Sequence, residues 1–316
     1  MAGDEHARGP RCPRAIRVGR RRGTVRIILR PRSHPSFVAP GSLALAYTFV
    51  TVFQALILGI IQGLAEFLPI SSSAHLALAP WILHWPDPGL AFDVALHFGT
   101  LVAVLWYFRA EWLALLVAAK DIGLKRRVET ERERRVLFLI VATIPGAIAG
   151  LALEKQAEST FRDPRLVAIA LIVMGILLWG VDRYAARDRT LATMRWSDAL
   201  FVGLAQMFAI IPGVSRSGST ITAGRGLRFN REDAAVFSFL MSMPIIAAAA
   251  VLKMPQAIRE QGLSAPMITG VLASAISGWL AITVLLRVVS RHSYGVFAVY
   301  RIILGVAVLI AAARGV

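Results

Sequence analysis

The sequence predicts an all-α integral membrane protein, a polytopic helix bundle with an inverted repeat. Its 316 residues are 56% hydrophobic and only 17% charged, and the mean hydropathy is +0.63. A soluble domain usually has about a quarter charged residues and slightly under half apolar residues. This composition excludes an ordinary cytosolic enzyme. The single cysteine, Cys12, also excludes an internal disulfide framework and a cysteine-based metal centre.

Residues 1–45 precede the first long apolar segment, and we interpret them as a disordered Arg-rich tail. Ten arginines lie within residues 1–32 against only two carboxylates, Asp4 and Glu5. Such a segment cannot bury enough apolar surface to offset the entropy lost on ordering. Basic runs of this kind bind any polyanion without specificity, so the run by itself does not indicate a nucleic-acid partner. We therefore expect none. Residues 46–316 are then predicted to form a single transmembrane domain.

Apolar segments separated by charged residues predict the membrane spans. A helix needs about 20 apolar residues to cross roughly 30 Å of hydrocarbon. We predict transmembrane helices at Phe92–Phe108, Val136–Leu153, Leu166–Val181, Ala234–Leu252, Met267–Leu286 and Gly295–Ala313.

Two further apolar stretches, residues 46–83 and 199–224, are interrupted midway. Pro69 and Pro212 break the helical pattern, and serine-rich sequence follows each of them. Irregular backbone at membrane depth is tolerated only where it is buried in protein or lines a water-filled cavity. We therefore predict that each stretch forms a broken, re-entrant pair of half-helices.

The order of elements is the same in residues 53–182 and 196–314, which indicates an internal repeat. Each half has one broken pair followed by three transmembrane helices. If the broken pairs do not cross the membrane, the odd number of crossings requires the second half to be inverted. The two broken loops would then meet near the bilayer midplane and form one shared site.

Lysine and arginine in the short loops predict the orientation. The connector 109–135 has eight of them and the loop 182–197 has four, against three in 154–165 and two in 253–266. The first two segments are therefore predicted to be cytoplasmic and both termini to be outside. That places the basic tail on the unexpected side, unless the first broken segment crosses fully or the tail is absent from the mature protein.

Glu66 is the only formally charged residue between Ser33 and Pro86. An ionisable side chain inside a membrane segment costs roughly 2.5–3.5 kcal/mol even on the mildest scale, so it indicates a function. Gln62 lies four residues earlier, on the same helical face. The carboxylate could bind a divalent cation, carry a proton, or accept hydrogen bonds from nearby backbone amides.

His75 opens the half-helix that follows Glu66. Beside Ser72 and Glu66, it is a candidate general acid or base, or the base that activates a serine. The serines at 71–73 could equally cap the half-helix. The other histidines lack a metal-ligand spacing, so we interpret His97 and His292 as core and loop residues.

Arg216 is the only charged residue between Asp198 and Arg225. Its guanidinium presents a planar fork of donors that matches phosphate oxygens. The surrounding hydroxyl groups would complete an anion site, and they belong to Ser215, Ser217, Ser219 and Thr220. An ion pair between Arg216 and Glu66 is the structural alternative, but it leaves the hydroxyl groups unexplained.

At these two motifs the chain resembles the undecaprenyl-diphosphatase family of the bacitracin-resistance type. The resemblance runs from about Thr48 to the C-terminus. The first family motif is matched by Gln62, Glu66, Pro69, Ser71, Ser72 and His75, and the second by Pro212, Gly213, Ser215, Arg216, Ser217 and Thr220. Ser73 and Ala74 stand where members often have Thr and Gly, and the Arg-rich tail has no counterpart.

The resemblance implies a multi-pass enzyme of the bacterial inner membrane that hydrolyses undecaprenyl diphosphate to undecaprenyl phosphate and inorganic phosphate. This reaction recycles the carrier lipid of peptidoglycan synthesis and confers bacitracin resistance. The implied cofactor is Mg²⁺ or Ca²⁺, and a homodimer is left open.

The family motifs also imply the role of each site residue. Arg216, Ser215, Ser217 and Thr220 would bind the phosphates, and Glu66, with help from Gln62, would hold the metal or a proton. His75 would be the general acid/base. Ser72 is the candidate nucleophile, although attack by metal-activated water is an alternative.

A transporter or flippase of an anionic polyprenyl lipid is a second function to weigh. Inverted-repeat transporters use the same broken helices and would use the same arginine. Such a protein does not need a serine and a histidine beside Glu66, but the fold alone does not decide between the two functions.

Overall fold

The computed structural model describes residues 50–158 and 160–314. The predicted Arg-rich tail, residues 1–45, lies outside the described residues. Within them the regular structure is helical apart from one β-bridge between Arg189 and Phe229, which confirms the all-α prediction. The α-helices are α1 (Val52–Phe67), α2 (Ser72–Leu83), α3 (Gly89–Tyr107), α4 (Arg109–Lys125), α5 (Glu131–Ala152), α6 (Glu154–Glu158), α7 (Pro164–Tyr184), α8 (Trp196–Met207), α9 (Arg216–Gly226), α10 (Arg231–Gln261), α11 (Ala265–Val289) and α12 (Gly295–Ala313).

Six helices are long and apolar enough to cross a membrane: α3, α5, α7, α10, α11 and α12. They confirm the six predicted spans, although α10 continues to Gln261, well past the predicted end at Leu252. Large apolar side chains such as Trp106, Leu151 and Ile303 are exposed on these helices. Exposed apolar side chains along membrane-length helices are suited to contact with lipid, so the chain is a multi-pass membrane protein.

Helix α4 was not predicted, because residues 109–135 were expected to form only a charged connector. Its apolar residues Leu113, Leu116 and Val117 are exposed, and charged residues such as Lys120 and Asp121 are interspersed among them. Apolar residues broken up by charges do not produce the continuous apolar run that signals a spanning helix.

Both predicted broken segments are confirmed as pairs of short helices, α1 with α2 and α8 with α9. Helix α1 begins with a capping box, in which Thr51 and Gln54 bind each other's backbone amides. It ends at Phe67, two residues before Pro69, whose ring is incompatible with a continuing helix. Their re-entry relative to the membrane stays a prediction.

Each broken segment packs closely on a helix of the other half, α1 on α11 and α8 on α5. A Cβ atom at Gly59 would lie 2.3 Å from the carbonyl oxygen of Gly270, and one at Gly203 would lie 2.6 Å from that of Ala142. Glycine is therefore required at both crossings. Helices in membranes use small residues in this way to bring their backbones together.

Helices α7 and α12 pack against each other through reciprocal glycine contacts. Gly175 lies against the carbonyl oxygen of Ala298, and Gly305 lies against that of Ala168, so the two helices run antiparallel. This packing carries Arg301 of α12 into the protein interior. The inversion of one half relative to the other in the membrane stays a prediction.

Asp182, near the end of α7, joins elements of both halves. It accepts hydrogen bonds from the side chains of Arg225 and Arg231 and from the backbone amide of Tyr294. Both Asp182 and Arg225 are buried. A buried carboxylate and guanidinium are stable only when their remaining donors and acceptors are also paired, and this network pairs them.

Candidate active site

The two broken loops have the same local design. Pro69 and Pro212 lie in the break between two helices of each segment. The next helix begins after Ser71 in the first segment (φ +76°) and after Ser215 in the second (φ +71°). A non-glycine residue with positive φ is strained by about 1–3 kcal/mol, and such residues cluster at functional sites. Each serine hydroxyl caps its helix by accepting from a backbone amide, that of Ala74 at 3.4 Å or that of Gly218 at 3.0 Å.

The loops are hydrogen-bonded directly to each other. The amide of Gly213 donates to the hydroxyl of Ser71 at 3.1 Å, and the hydroxyl of Ser217 donates to the carbonyl of Leu68 at 3.2 Å. The predicted meeting of the two motifs is therefore observed, and it satisfies backbone groups that the breaks leave unpaired.

Arg301 holds both loops on the helix bundle, and it was not among the predicted site residues. Its fully buried guanidinium donates to the carbonyl oxygens of Pro69 (3.0 Å), Gly213 (2.6 Å) and Val214 (2.9 Å). The signal was present in the sequence, because Arg301 is the only charged residue within α12. A lone cation in a membrane segment indicates a specific role, here as the common donor for carbonyls in the two loops.

Glu66, at the end of α1, is the centre of the predicted site. Its Oε2 accepts from the hydroxyl of Ser72 at 2.6 Å and from the side-chain amide of Gln62 at 3.0 Å. Its Oε1 accepts from Nη2 of Arg216 at 2.8 Å. The structure thus brings four of the predicted site residues together. The ion pair between Arg216 and Glu66, which was the structural alternative, is also formed.

His97 also contacts Glu66, so its interpretation as a core residue was wrong. Its Nε2 lies 3.4 Å from Oε2 of Glu66, and its Nδ1 donates to the backbone carbonyl of Asp93 at 2.7 Å. No local pattern indicates this contact, because His97 and Glu66 lie on different helices and only packing brings them together.

His75 has other neighbours. Its Nδ1 lies 2.7 Å from the carbonyl oxygen of Ser71, and its Nε2 lies 2.7 Å from the hydroxyl of Tyr300, on which the ring also stacks. A carbonyl oxygen can only accept, so the Nδ1 nitrogen carries the proton and Nε2 is the basic nitrogen of the neutral ring.

The hydroxyl groups predicted to bind phosphate bond instead to the protein. Ser215, Ser217 and Thr220 are buried, and the first two cap α9 or bridge to the other loop. The Thr220 hydroxyl is 2.7 Å from that of Ser238 and donates to the carbonyl of Arg216 at 2.8 Å. These groups therefore support the loop that presents Arg216.

A cavity of about 300 Å³ lies beside Glu66 and Arg216. Much of its wall is apolar, with Ile210, Ile245 and Ile246 among the lining residues. Its strongly polar lining comes from Glu66, Asp93, His97, Arg162, Gln206 and Arg216. The cavity combines charged groups with apolar walls, as an amphipathic ligand requires.

The protein side chains here supply only some of the oxygen ligands that a divalent cation needs. Among the described residues, no group of three or more His, Cys, Asp or Glu side chains is placed to hold a metal ion. The Oε1 atom of Gln62, however, is buried without a hydrogen-bond partner in this part of the chain, next to the Glu66 carboxylate. Mg²⁺ often binds through one or two protein oxygens together with substrate phosphates, so these residues fit a shared ion.

Comparison with known proteins gives extensive matches. A family model described as bacitracin resistance protein BacA matches residues 55–307. The chain is 62% identical over 259 residues to an undecaprenyl-diphosphatase of Gemmatimonas aurantiaca. This alignment covers 82% of the present chain and 97% of the relative. It is 51% identical over 256 residues to the protein of the same name from Moorella thermoacetica, covering 81% of this chain and 95% of the relative. The fold, the paired motifs and these matches together show that the chain belongs to the BacA family of bacitracin resistance proteins.

Proposed function

We infer that this chain is an undecaprenyl-diphosphatase of the bacterial inner membrane, which converts undecaprenyl diphosphate and water into undecaprenyl phosphate and inorganic phosphate. The observation that carries this inference is the Glu66 carboxylate, bound by Ser72 and Arg216 beside an apolar-walled cavity. The similar proteins from two other bacteria carry the name of this activity. Hydrolysis returns the carrier lipid to peptidoglycan synthesis.

Arg216 is proposed to bind the terminal phosphate. Nη2 donates to Glu66 and Nη1 donates to the carbonyl of Ser238 at 2.9 Å, so the guanidinium is held from two sides. A fixed fork of donors stabilises the charge that develops on phosphoryl oxygens. Ser215, Ser217 and Thr220 assist by holding the loop and the first turn of α9.

Ser72 is proposed as the nucleophile. Its Oγ attacks the terminal phosphorus, the bond from that phosphorus to the bridging oxygen breaks, and undecaprenyl phosphate leaves. Glu66 is positioned to take the hydroxyl proton, because the Ser72 Oγ to Glu66 Oε2 distance is 2.6 Å. Water then cleaves the phosphoserine to regenerate Ser72 and release inorganic phosphate. Direct attack by water is the competing pathway.

His75 is proposed as the general acid/base for the proton transfers that follow, when water cleaves the phosphoserine. It lies in the first turn of α2, the helix that Ser72 begins. The carbonyl of Ser71 orients the ring and leaves Nε2 as the basic nitrogen. His97 is proposed to orient Glu66 through their contact at 3.4 Å.

Mg²⁺ or Ca²⁺ is proposed as the cofactor, held by Glu66 and Gln62 together with the substrate phosphates. When bound, such an ion neutralises charge on the phosphate oxygens. The protein residues supply the remaining interactions, with Arg216 orienting the phosphate and the apolar wall excluding water.

The cavity is proposed to open on the extracytoplasmic face. Arg162 lines it and comes just before α7, whereas the basic loop 185–195 follows the other end of that helix. Basic loops stay in the cytoplasm, so the cavity lies toward the opposite side.

The test is phosphate release from undecaprenyl diphosphate by the detergent-purified chain, with and without Mg²⁺ or Ca²⁺. Wild type is expected to show metal-dependent release, and Arg216→Ala to lose about 10²–10³-fold in kcat. Arg165→Ala removes an exposed arginine and serves as the matched control. Absence of release by folded wild type would contradict the enzyme assignment, and lipid transfer across vesicles would then test the flippase alternative.

A further inference from the structure

Arg162 lies at the boundary between two spaces in the protein. It ends the short 3₁₀ turn Thr160–Arg162, just before α7. With Leu90 it lines both the inner cavity and a neighbouring depression of about 240 Å³, whose wall also includes Asp87 and Lys253. Arg162 therefore lies on the wall that the two spaces share.

Arg162 is held in place by two carboxylates. Its Nη2 lies 3.0 Å from Oδ2 of Asp93 and 3.4 Å from Oδ1 of Asp87. Asp93 is buried, and its second oxygen has no hydrogen-bond partner among the described residues. Both ion pairs use the same nitrogen of Arg162. A guanidinium has five N–H donors in a fixed fork, so one side chain can hold a carboxylate and a phosphate at once.

The inner cavity therefore contains two arginines, each paired with one carboxylate that also lines it. Arg216 is paired with Glu66 at 2.8 Å, and Arg162 is paired with Asp93 at 3.0 Å. The proposed reaction needs only one arginine at the phosphate that is attacked. A second tethered arginine on the same cavity matches a ligand with two anionic groups.

We propose that Arg162 binds the second phosphate group of the substrate, the one that stays on the lipid, and makes the site selective for a diphosphate over a monophosphate. Asp93 is a positioning residue that holds the guanidinium at the cavity wall. The inference rests on the proposed function for the identity of the substrate. Its direct consequence, preference for two phosphates over one, concerns binding and does not require turnover.

The experiment compares binding of farnesyl diphosphate and farnesyl monophosphate to the full chain in detergent, measured by thermal stabilisation. Wild type is expected to prefer the diphosphate, and Arg162→Gln to lose about 10- to 100-fold of that preference, the effect of one charge-assisted contact. Arg165→Gln, at an exposed position in the first turn of α7, is the matched control and is expected to keep the wild-type ratio.

Kinetics provide a second readout that a purely structural role would not produce. With undecaprenyl diphosphate, Arg162→Gln is expected to raise KM by a similar factor while kcat changes by less than about threefold. Asp93→Asn is expected to raise KM by a smaller factor, because the arginine stays but is less well oriented. Arg162→Lys keeps the charge but loses the planar fork, and it decides the question if the Gln variant does not fold.

An unchanged diphosphate preference in folded Arg162→Gln, or in Arg162→Lys if only that variant folds, would overturn the inference while the hydrolase assignment stands. If wild type releases no phosphate yet binds the diphosphate more tightly, the hydrolase assignment fails. The binding ratio of the Arg162 variants then still decides whether Arg162 recognises the second phosphate.

Discussion

Ser72 and Arg216 bind opposite oxygens of one carboxylate, that of Glu66. The serine hydroxyl donates to Oε2 at 2.6 Å and the guanidinium donates to Oε1 at 2.8 Å. Each is the first residue of a short helix, and each follows a serine with positive φ. The two donors come from different broken segments, so the site is complete only when both loops are in place.

Replacing Ser72 by Ala is expected to lower kcat for phosphate release by at least about 10²-fold, because the nucleophile and its bond to Glu66 are both removed. The measurement is a single-turnover assay with undecaprenyl diphosphate. Wild type is also expected to form a phosphoserine that can be trapped by acid quenching. A variant with near wild-type turnover would exclude the covalent pathway and leave attack by water.

His75→Gln is expected to lower kcat more than His97→Gln. Loss of a general acid/base typically costs about 10²–10⁴-fold, whereas loss of the contact between His97 and Glu66 is expected to cost about 10-fold. Steady-state kinetics of the two variants give the comparison. Tyr300→Phe, which removes the hydroxyl beside Nε2 of His75, controls for the packing of that ring. The reverse order would assign the acid/base role to the histidine beside Glu66.

Arg301→Met is expected to destabilise the protein by about 3 kcal/mol or more, because several carbonyls in the two loops lose a charged donor together. Thermal unfolding in detergent measures the effect, and phosphate release should fall with it as the loops separate. Arg287→Met, at an exposed position near the end of α11, is the control. Equal melting temperatures for the two variants would show that Arg301 does not fasten the loops.

At Ser215 we expect glycine to be tolerated better than alanine, by about 1–2 kcal/mol in the free energy of unfolding. Both substitutions remove the hydroxyl that caps α9, but only glycine relieves the strain of a φ of +71°. The same order is expected at Ser71. Chemical or thermal unfolding of the four variants provides the ranking. A more stable alanine variant at both positions would mean that the positive φ is not strained.

Local sequence patterns were enough to predict the membrane class, the six spanning helices and the two breaks, and they also contain the family motifs. These properties depend on local composition: runs of apolar residues, the helix-breaking geometry of proline, and the cost of an isolated charge in hydrocarbon. Glu66 and Arg216 could be identified for that reason, since each is the lone charge in a long apolar stretch. Helix α4 escaped the same reasoning because charges interrupt its apolar residues.

Which side chains contact each other in the site depends on how the helices pack. Three contacts each join residues on different elements: that of His97 with Glu66, that of Arg162 with Asp93, and the hydrogen bonds from Arg301 to the two loops. Packing also directed the hydroxyls of Ser215, Ser217 and Thr220 toward backbone and neighbouring side chains. These contacts depend on how buried donors and acceptors are paired between helices, and a local sequence pattern does not determine that pairing.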